Sequence, residues 1–213
     1  MSTASNGRSA VGRVYRALRH FPDRLLQQKR YLLTSQRLAA MSRPRSILVV
    51  CHGNICRSPY LEAVLKRALP DVRVASAGFV GPGRPVPPFS LRVSAQRGLD
   101  LSRFRSRPLA QAILKDVDLV IVMDSRQENY LSAHFRLSRS RVVIAGDLDP
   151  EPASTRAIED PWHQPIEVFV SAFDRLDRCA ATLVKHLRRD PGVRCSCQAF
   201  AVGEPDSETN VLS

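Results

Sequence analysis

A cysteine and an arginine stand six positions apart in the segment VVCHGNICRSP, which covers residues 49–59. The apolar run before Cys51 predicts a buried parallel strand, and Ser58 with Pro59 predicts the N-cap and first turn of a following helix. The loop between them would wrap a helix N-terminus, where backbone N–H groups and the positive end of the helix dipole attract an anion. The spacing therefore predicts a phosphate-binding loop that carries a nucleophile.

Each residue type in this loop suits phosphoryl transfer. Among converging N–H groups, Cys51 would react as a thiolate, which attacks phosphorus in line. Arg57 offers a planar fork of donors to two phosphate oxygens, which a lysine does not match. Gly53 lets the backbone approach the ligand, while Asn54 tolerates a left-handed conformation and its amide can brace the loop. The Ser58 hydroxyl would cap the helix or donate to the Cys51 sulfur.

The segment resembles the signature of the low-molecular-weight protein tyrosine phosphatases, a valine-rich strand followed by Cys-x-Gly-Asn-x-Cys-Arg-Ser-Pro. Every specified position of that signature is matched. Later motifs extend the resemblance, at residues 76–78, 98–100, 121–124 and 160–162. The resemblance covers about residues 44–189, which is most of the chain.

The resemblance implies a role for each loop residue. Cys51 is then the nucleophile, and Arg57 binds the phosphate and stabilises the transition state, without a metal or a cofactor. The substrate would lie against the rest of the loop, which consists of His52, Gly53, Asn54, Ile55, Cys56 and Ser58. Two interpretations of Cys56 stay open: a small apolar side chain packed beneath the phosphate, or a redox partner that forms a reversible disulfide with Cys51.

The family places its general acid in a late loop of Asp, Pro and an aromatic residue, and Asp160 stands at that position. The chemistry asks for such a group, because a tyrosine phenolate leaves more readily when a carboxyl group protonates it. In the second step the same group takes a proton from the water that attacks the phosphocysteine. Asp-Pro also occurs at 149–150 and 190–191, and only the family's loop context favours Asp160 over these two.

Two aromatic residues are candidates for the walls of the active-site mouth. Phe79, with Val80 beside it as a further candidate, opens a loop rich in proline and glycine, residues 79–89, which forms one wall in the family. Trp162 directly follows the acid-loop proline and would form the opposite wall, where many family members have tyrosine. A core position is the alternative for Trp162, the only tryptophan of the chain.

The order of the motifs and the positions of the cysteines discriminate among related enzymes. In the larger tyrosine phosphatases the acid loop precedes the cysteine loop, whereas Asp160 follows Cys51 here. Arsenate reductases of this fold need further cysteines in mid-chain, and none lies between Cys56 and Cys179. Arginine phosphatases of the family carry threonine where this chain has Ile55, which favours an aromatic ring. We therefore expect a phosphotyrosine phosphatase, with phosphoarginine hydrolysis or non-catalytic phosphoprotein binding as alternatives.

Alternating strands and helices would position these residues. Apolar runs predict four strands, at 46–51, 72–76, 118–123 and 141–145. Helical spacing predicts helices near 59–69, 90–98, 108–115, 125–135 and 165–188. This alternation is typical of an α/β fold with a doubly wound, four-stranded parallel sheet between two helical layers, with ligands at the carboxyl ends of the strands. Cys51 lies at that edge.

Charge divides the chain unevenly. Residues 1–45 contain ten Lys and Arg and one acidic residue, so they hold +9 of the net charge of +12. We expect a basic N-terminal extension over 1–43, a phosphatase domain over 44–189 and a flexible tail over 190–213. The near-neutral domain needs no nucleic-acid partner to explain it.

The extension leaves several interpretations open. Apolar and basic residues alternate over 11–40, which suits a helical or disordered appendage, or a basic amphipathic surface on anionic lipid. Its Arg- and Ser-rich composition also suits a transit peptide, and Met41 stands where a native start is expected.

The five cysteines show neither a metal-binding nor a disulfide pattern, which indicates a reducing compartment. We therefore expect a cytoplasmic enzyme. Its partner would be a phosphotyrosine-bearing protein, such as a tyrosine kinase.

Overall fold

The computed structural model describes residues 21–188, with side chains from Leu26 onward. Four segments form a parallel sheet: β1 (Ser46–Cys51), β2 (Arg73–Gly78), β3 (Leu119–Val122) and β4 (Val142–Ile144). Their order is β2-β1-β3-β4, so β1 lies inside the sheet and pairs with β2 and β3. Every residue of β1, β3 and β4 is buried, as expected for strands covered on both faces.

Helices cover both faces of this sheet. In the described part of the chain they are α1 (Phe21–Ala40), α2 (Arg57–Ala68), α3 (Pro88–Gln96), α4 (Gln111–Lys115), α5 (Ser125–Phe135) and α6 (Ile166–Leu187). Ile47 and Val49 of β1 pack in the core beneath α2 and α6, whereas Leu48 and Val50 pack on the other face with side chains of α4 and α5. The doubly wound, three-layer fold predicted from the sequence is confirmed.

Two helices have boundaries that differ from the predicted ones, each for a local reason. The helix predicted over 108–115 starts only at Gln111, because Gly78 at the end of β2 pairs with residues 107–109. The helix predicted over 90–98 begins at Pro88, whose fixed φ suits the first helical position. It ends before Gly98, which has a left-handed backbone (φ 70°).

Helix α1 belongs to the part of the chain expected as an extension. Gln27, Thr34 and Leu38 are buried along one face of α1, while Leu32 and Leu33 are exposed. The docked face packs on α6 and on the 3-10 turn Ala145–Leu148 that follows β4. The predicted features of 1–20 and 189–213 lie outside the described residues. Within residues 21–188, no helix is both long and apolar enough to cross a bilayer.

Candidate active site

Cys51 is the last residue of β1, and the chain then wraps around the start of α2 to form the phosphate loop, residues 51–57. The predicted N-cap at Ser58 is wrong, because α2 begins at Arg57 with Cys56 as its N-cap. No side chain caps this helix, so the N–H groups of its first turn stay available to an anion. Pro59 lies in the same turn, where a missing N–H costs nothing.

The buried side chain of Asn54 braces the loop. Its backbone has the left-handed conformation (φ 51°) that this residue type tolerates. Its amide nitrogen donates to the hydroxyls of Ser58 at 2.9 Å and Ser76 at 2.7 Å, and its amide oxygen accepts from the N–H of Arg107 at 2.8 Å. The Ser58 hydroxyl lies 3.0 Å from the Cys51 sulfur. Asn54 therefore links Ser58, which contacts the Cys51 sulfur, to Ser76 of β2.

Sequence reasoning missed the far end of this network. The Ser76 hydroxyl donates to the carboxylate of Glu62, a residue of α2 that is only 5% exposed. Lys66 binds the other Glu62 oxygen at 2.6 Å. The available signal was an acidic residue between the apolar positions Leu61 and Leu65 on the inner face of α2.

The predicted acid reaches the phosphate loop through an ion pair. The Arg57 side chain is nearly buried; its Nη1 donates to the Ile158 carbonyl at 2.9 Å and its Nη2 to the Asp160 carboxylate. The Nε of Arg57 is buried and has no hydrogen-bond partner among the described residues, so it remains free to bind an anion. Asp160 is half exposed, whereas Asp149 is buried against Arg175 and Arg178. Asp160, and not Asp149, therefore lies at the site.

The phosphate loop opens into a cavity of about 170 Å³. Its lining consists of Cys51, His52, Gly53, Ile55, Cys56, Arg57, Val80, Arg84, Asp160 and Trp162. Trp162 is 42% exposed and packs against His163, so the alternative of a core tryptophan is wrong. Asn54 and Ser58 lie behind the loop and do not line the cavity.

Phe79 lies in a groove next to this cavity. The groove has a volume of about 630 Å³ and shares His52, Arg57, Val80 and Asp160 with the first cavity. The Phe79 ring contacts Tyr130 edge to face at 4.9 Å between ring centres. Val80 and Arg84, rather than Phe79, are the residues of this loop that line the Cys51 cavity.

Arg84 is a second residue that sequence reasoning missed. Its Nη2 donates to the Gly53 carbonyl at 2.9 Å, and its Nε donates to the Gly81 carbonyl at 3.2 Å. This side chain joins the loop of residues 79–89 to the phosphate loop and adds a positive charge to the cavity wall. The available signal was an arginine within a loop of glycine and proline.

The Cys56 side chain is buried, and it contributes to the lining of the cavity. Burial raises the pKa of the Cys56 thiol well above its ordinary value, and the neighbouring Cys51 adds a smaller increase. Cys56 therefore remains a neutral thiol, and Cys51, Cys56 and Cys179 are all free cysteines.

Residues 21–188 contain no group of three or more His, Cys, Asp or Glu side chains placed to hold a metal ion. A larger cavity, of about 1140 Å³, lies at the opposite end of β1 beside Ser46 and Asp118. It contains no cysteine, so the thiol chemistry belongs to the smaller cavity.

Comparisons with known proteins find relatives for most of this chain. The family model described as low molecular weight phosphotyrosine protein phosphatase matches residues 46–193. The probable low molecular weight protein-tyrosine-phosphatase EpsP of Ralstonia nicotianae is 32% identical over 145 residues, which is 68% of this chain and 97% of EpsP.

Two solved structures extend the comparison. The tyrosine phosphatase amsI of Erwinia amylovora matches with a TM-score of 0.65 and 29% identity, over 70% of this chain and 97% of its own. The arginine phosphatase YwlE of Geobacillus stearothermophilus matches with a TM-score of 0.60 and 28% identity, over 67% of this chain and 92% of its own.

Proposed function

The chain belongs to the low-molecular-weight phosphotyrosine protein phosphatase family, and we propose that it hydrolyses phosphotyrosine through a phosphocysteine intermediate. Cys51 is the nucleophile, Arg57 holds the phosphate, and Asp160 acts first as acid and then as base. One observation carries the proposal: the Cys51 thiol and the Arg57–Asp160 ion pair line the same small cavity.

In the first step the Cys51 thiolate attacks phosphorus, a P–S bond forms and the bond to the phenolic oxygen breaks. The phosphate oxygens accept from the Arg57 fork and from the N–H groups at the start of α2, which stabilises charge on the equatorial oxygens. Because the phosphate then occupies donors of Arg57, Asp160 leaves the ion pair, takes up a proton from solvent and lies as a carboxylic acid beside the phenolic oxygen. It protonates that oxygen as tyrosine leaves.

In the second step water attacks phosphorus and the P–S bond breaks. The Asp160 carboxylate accepts the proton of this water, inorganic phosphate leaves, and Cys51 returns as a thiolate. The Ser58 hydroxyl, 3.0 Å from the sulfur, stabilises the departing thiolate.

Hydrolysis of para-nitrophenyl phosphate by the purified full chain tests the proposal. We expect turnover that Cys51→Ser abolishes and that Asp160→Asn lowers on phosphotyrosine peptides by about a hundredfold or more. Absence of turnover in the unmodified protein would instead support a phosphoprotein-binding adaptor. Activity that survives Cys51→Ser would exclude the thiolate mechanism.

The cavity wall favours phosphotyrosine over phosphoarginine. The apolar Ile55 and Val80 side chains and the half-exposed Trp162 ring line the cavity, which suits an aromatic ring better than a guanidinium group. The comparison to make is kcat/KM on peptides that differ only in phosphotyrosine or phosphoarginine. Equal or faster turnover of phosphoarginine would overturn the role given to Ile55.

The substrate is proposed to be a phosphotyrosine-bearing protein, such as a tyrosine kinase. The groove lined by Phe79 and Tyr130 adjoins the cavity and has room for residues that flank a phosphotyrosine. The three described cysteines are free thiols, which supports the cytoplasm as the proposed compartment.

Residues 11–40 are proposed to touch an anionic membrane surface. In the described part, Leu26, Leu32 and Leu33 of α1 are exposed, and Lys29 lies on the same open side of the helix. Co-sedimentation of the full chain with vesicles that contain a phosphatidylglycerol fraction tests this contact. Binding that does not weaken in a Leu32→Ser, Leu33→Ser variant would contradict it.

A further inference from the structure

We propose that helix α1 positions the acid loop, residues 149–162, and that Gln27 is the positioning residue. The inference rests on the proposed function, since it concerns the placement of Asp160 as the general acid. The family match begins at residue 46, so α1 lies before it and adds contacts that the matched region does not contain.

Gln27 connects α1 to the segment that leads into the acid loop. Its side chain is 2% exposed, and its amide nitrogen donates to the Gly146 carbonyl at 2.6 Å and to the Asp149 carbonyl at 3.4 Å. Thr34 and Leu38 continue the buried face of α1. The Gly146 carbonyl also accepts from the Asp149 N–H at 3.3 Å, but that bond lies within the same turn, so the hydrogen bonds from Gln27 are the ones that tie residues 146–149 to α1.

Residues 146–149 in turn contact the acid loop directly. The backbone of Gly146 lies so close to that of Arg156 that a Cβ at Gly146 would be 2.0 Å from the Arg156 carbonyl oxygen. The Asp147 carboxylate binds the Arg156 guanidinium through two hydrogen bonds of 2.7 Å. A shift of residues 146–149 therefore shifts Arg156.

A second connection runs through Asp149. Its buried carboxylate accepts from Arg175 Nε at 2.9 Å, and the same guanidinium donates to the carbonyls of Thr155 and Ala157, each at 2.8 Å. The backbone N–H of the next residue, Ile158, donates to the Met123 carbonyl at 2.9 Å. The acid loop is thus held at Asp149 and again from Thr155 to Ile158, which lies two residues before Asp160.

The expected consequence is selective for the leaving group. Protonation by Asp160 matters most when the leaving oxygen is strongly basic, and least when the leaving group is already stable as an anion. A displaced Asp160 therefore slows hydrolysis of phenyl phosphate more than hydrolysis of para-nitrophenyl phosphate. General loss of folded protein would slow both equally.

The test is Gln27→Met in the full chain, which keeps the side-chain length and removes the donor. We expect kcat/KM for phenyl phosphate to fall about tenfold, and kcat/KM for para-nitrophenyl phosphate to stay within about twofold of the unmodified protein. The matched control is Gln28→Met, since Gln28 is the exposed neighbour of the same type on α1. This control should leave both values unchanged.

An equal loss on both substrates, or no loss on either, would overturn the positioning role. If Gln27→Met does not fold, Gln27→Asn replaces it, because the shorter amide no longer reaches the Gly146 carbonyl. Asp160→Asn is measured in parallel and should show the same selectivity more strongly. If Asp160→Asn shows none, the proposed acid itself is wrong; if only Gln27→Met shows none, the role of α1 alone is wrong.

Discussion

The Cys51 thiol lies at one end of a chain of buried hydroxyl and amide groups that leads to Glu62. Because the Asn54 amide donates to both Ser58 and Ser76, each serine keeps its own proton for another acceptor. The Ser76 hydroxyl donates a hydrogen bond to the Glu62 carboxylate. The acceptor within reach of the Ser58 hydroxyl is the Cys51 sulfur. The network therefore leaves the Ser58 hydroxyl proton to donate to the Cys51 sulfur.

Ser58→Ala should slow hydrolysis of the phosphocysteine. The substitution removes a hydrogen bond to a charged sulfur, worth about 1.5–3 kcal/mol, and so makes the thiolate a poorer leaving group in the second step. We expect kcat to fall by about tenfold to a hundredfold, with a clear initial burst of nitrophenol from para-nitrophenyl phosphate in rapid-mixing experiments.

Ser90→Ala is the matched control, because the Ser90 hydroxyl is fully buried in α3 but has no hydrogen-bond partner among the described residues. It should leave kcat unchanged. A Ser58→Ala protein with the kcat of the unmodified chain would show that the hydroxyl does not support the thiolate.

At the scale of elements, the end of β2 supports the phosphate loop from below. Gly78 pairs with Cys51 across the sheet, and its Cα lies directly against the loop. A Cβ at Gly78 would lie 2.7 Å from the Asn54 nitrogen and 2.9 Å from the Gly53 carbonyl carbon. Only glycine allows this approach of two backbones.

Gly78→Ala should therefore distort the phosphate loop. We expect it to have a larger effect on catalytic activity than on the stability of the fold. Since the methyl group meets backbone and not the end of a flexible side chain, the loop must move, and we expect kcat/KM to fall by about a hundredfold. Gly83→Ala is the control: its positive φ (74°) strains the backbone, but a Cβ there meets nothing within 4 Å. Equal kcat/KM for the two folded variants would contradict this role of Gly78.

The sequence predicted the strands and the phosphate loop because their signals are local. Val49, Val50, Cys51 and Arg57 are neighbours in the chain, so periodicity and spacing sufficed. The docking of α1 could not be predicted in this way, because Gln27 and Thr34 on its buried face are polar and resemble an exposed surface. The partner of Gln27 at Gly146 lies 119 residues away, and only the folded sheet brings the two together.

At the scale of the whole molecule, the folded state holds protons that the unfolded chain releases in alkali. Burial raises the pKa of the Cys56 thiol, the Cys179 thiol and the Tyr60 hydroxyl above their ordinary values. In the unfolded chain these groups ionise near pH 8.5 for cysteine and about pH 10 for tyrosine. Above those values the unfolded state binds fewer protons, so the free energy of unfolding falls as the pH rises.

Urea unfolding of the reduced chain from about pH 7 to about pH 10.5 should show this loss. Each buried group contributes a slope of up to about 1.4 kcal/mol per pH unit between its unfolded and folded pKa. Cys179→Ala, which removes one such group from the core, should flatten the decline by about that amount above roughly pH 9. Tyr130→Phe is the control, because Tyr130 is 44% exposed. Each variant is compared with the unmodified chain at the same pH, so the titration of surface lysines cancels. If the free energy of unfolding fell in parallel with pH for Cys179→Ala and for the unmodified chain, the proton linkage would be contradicted.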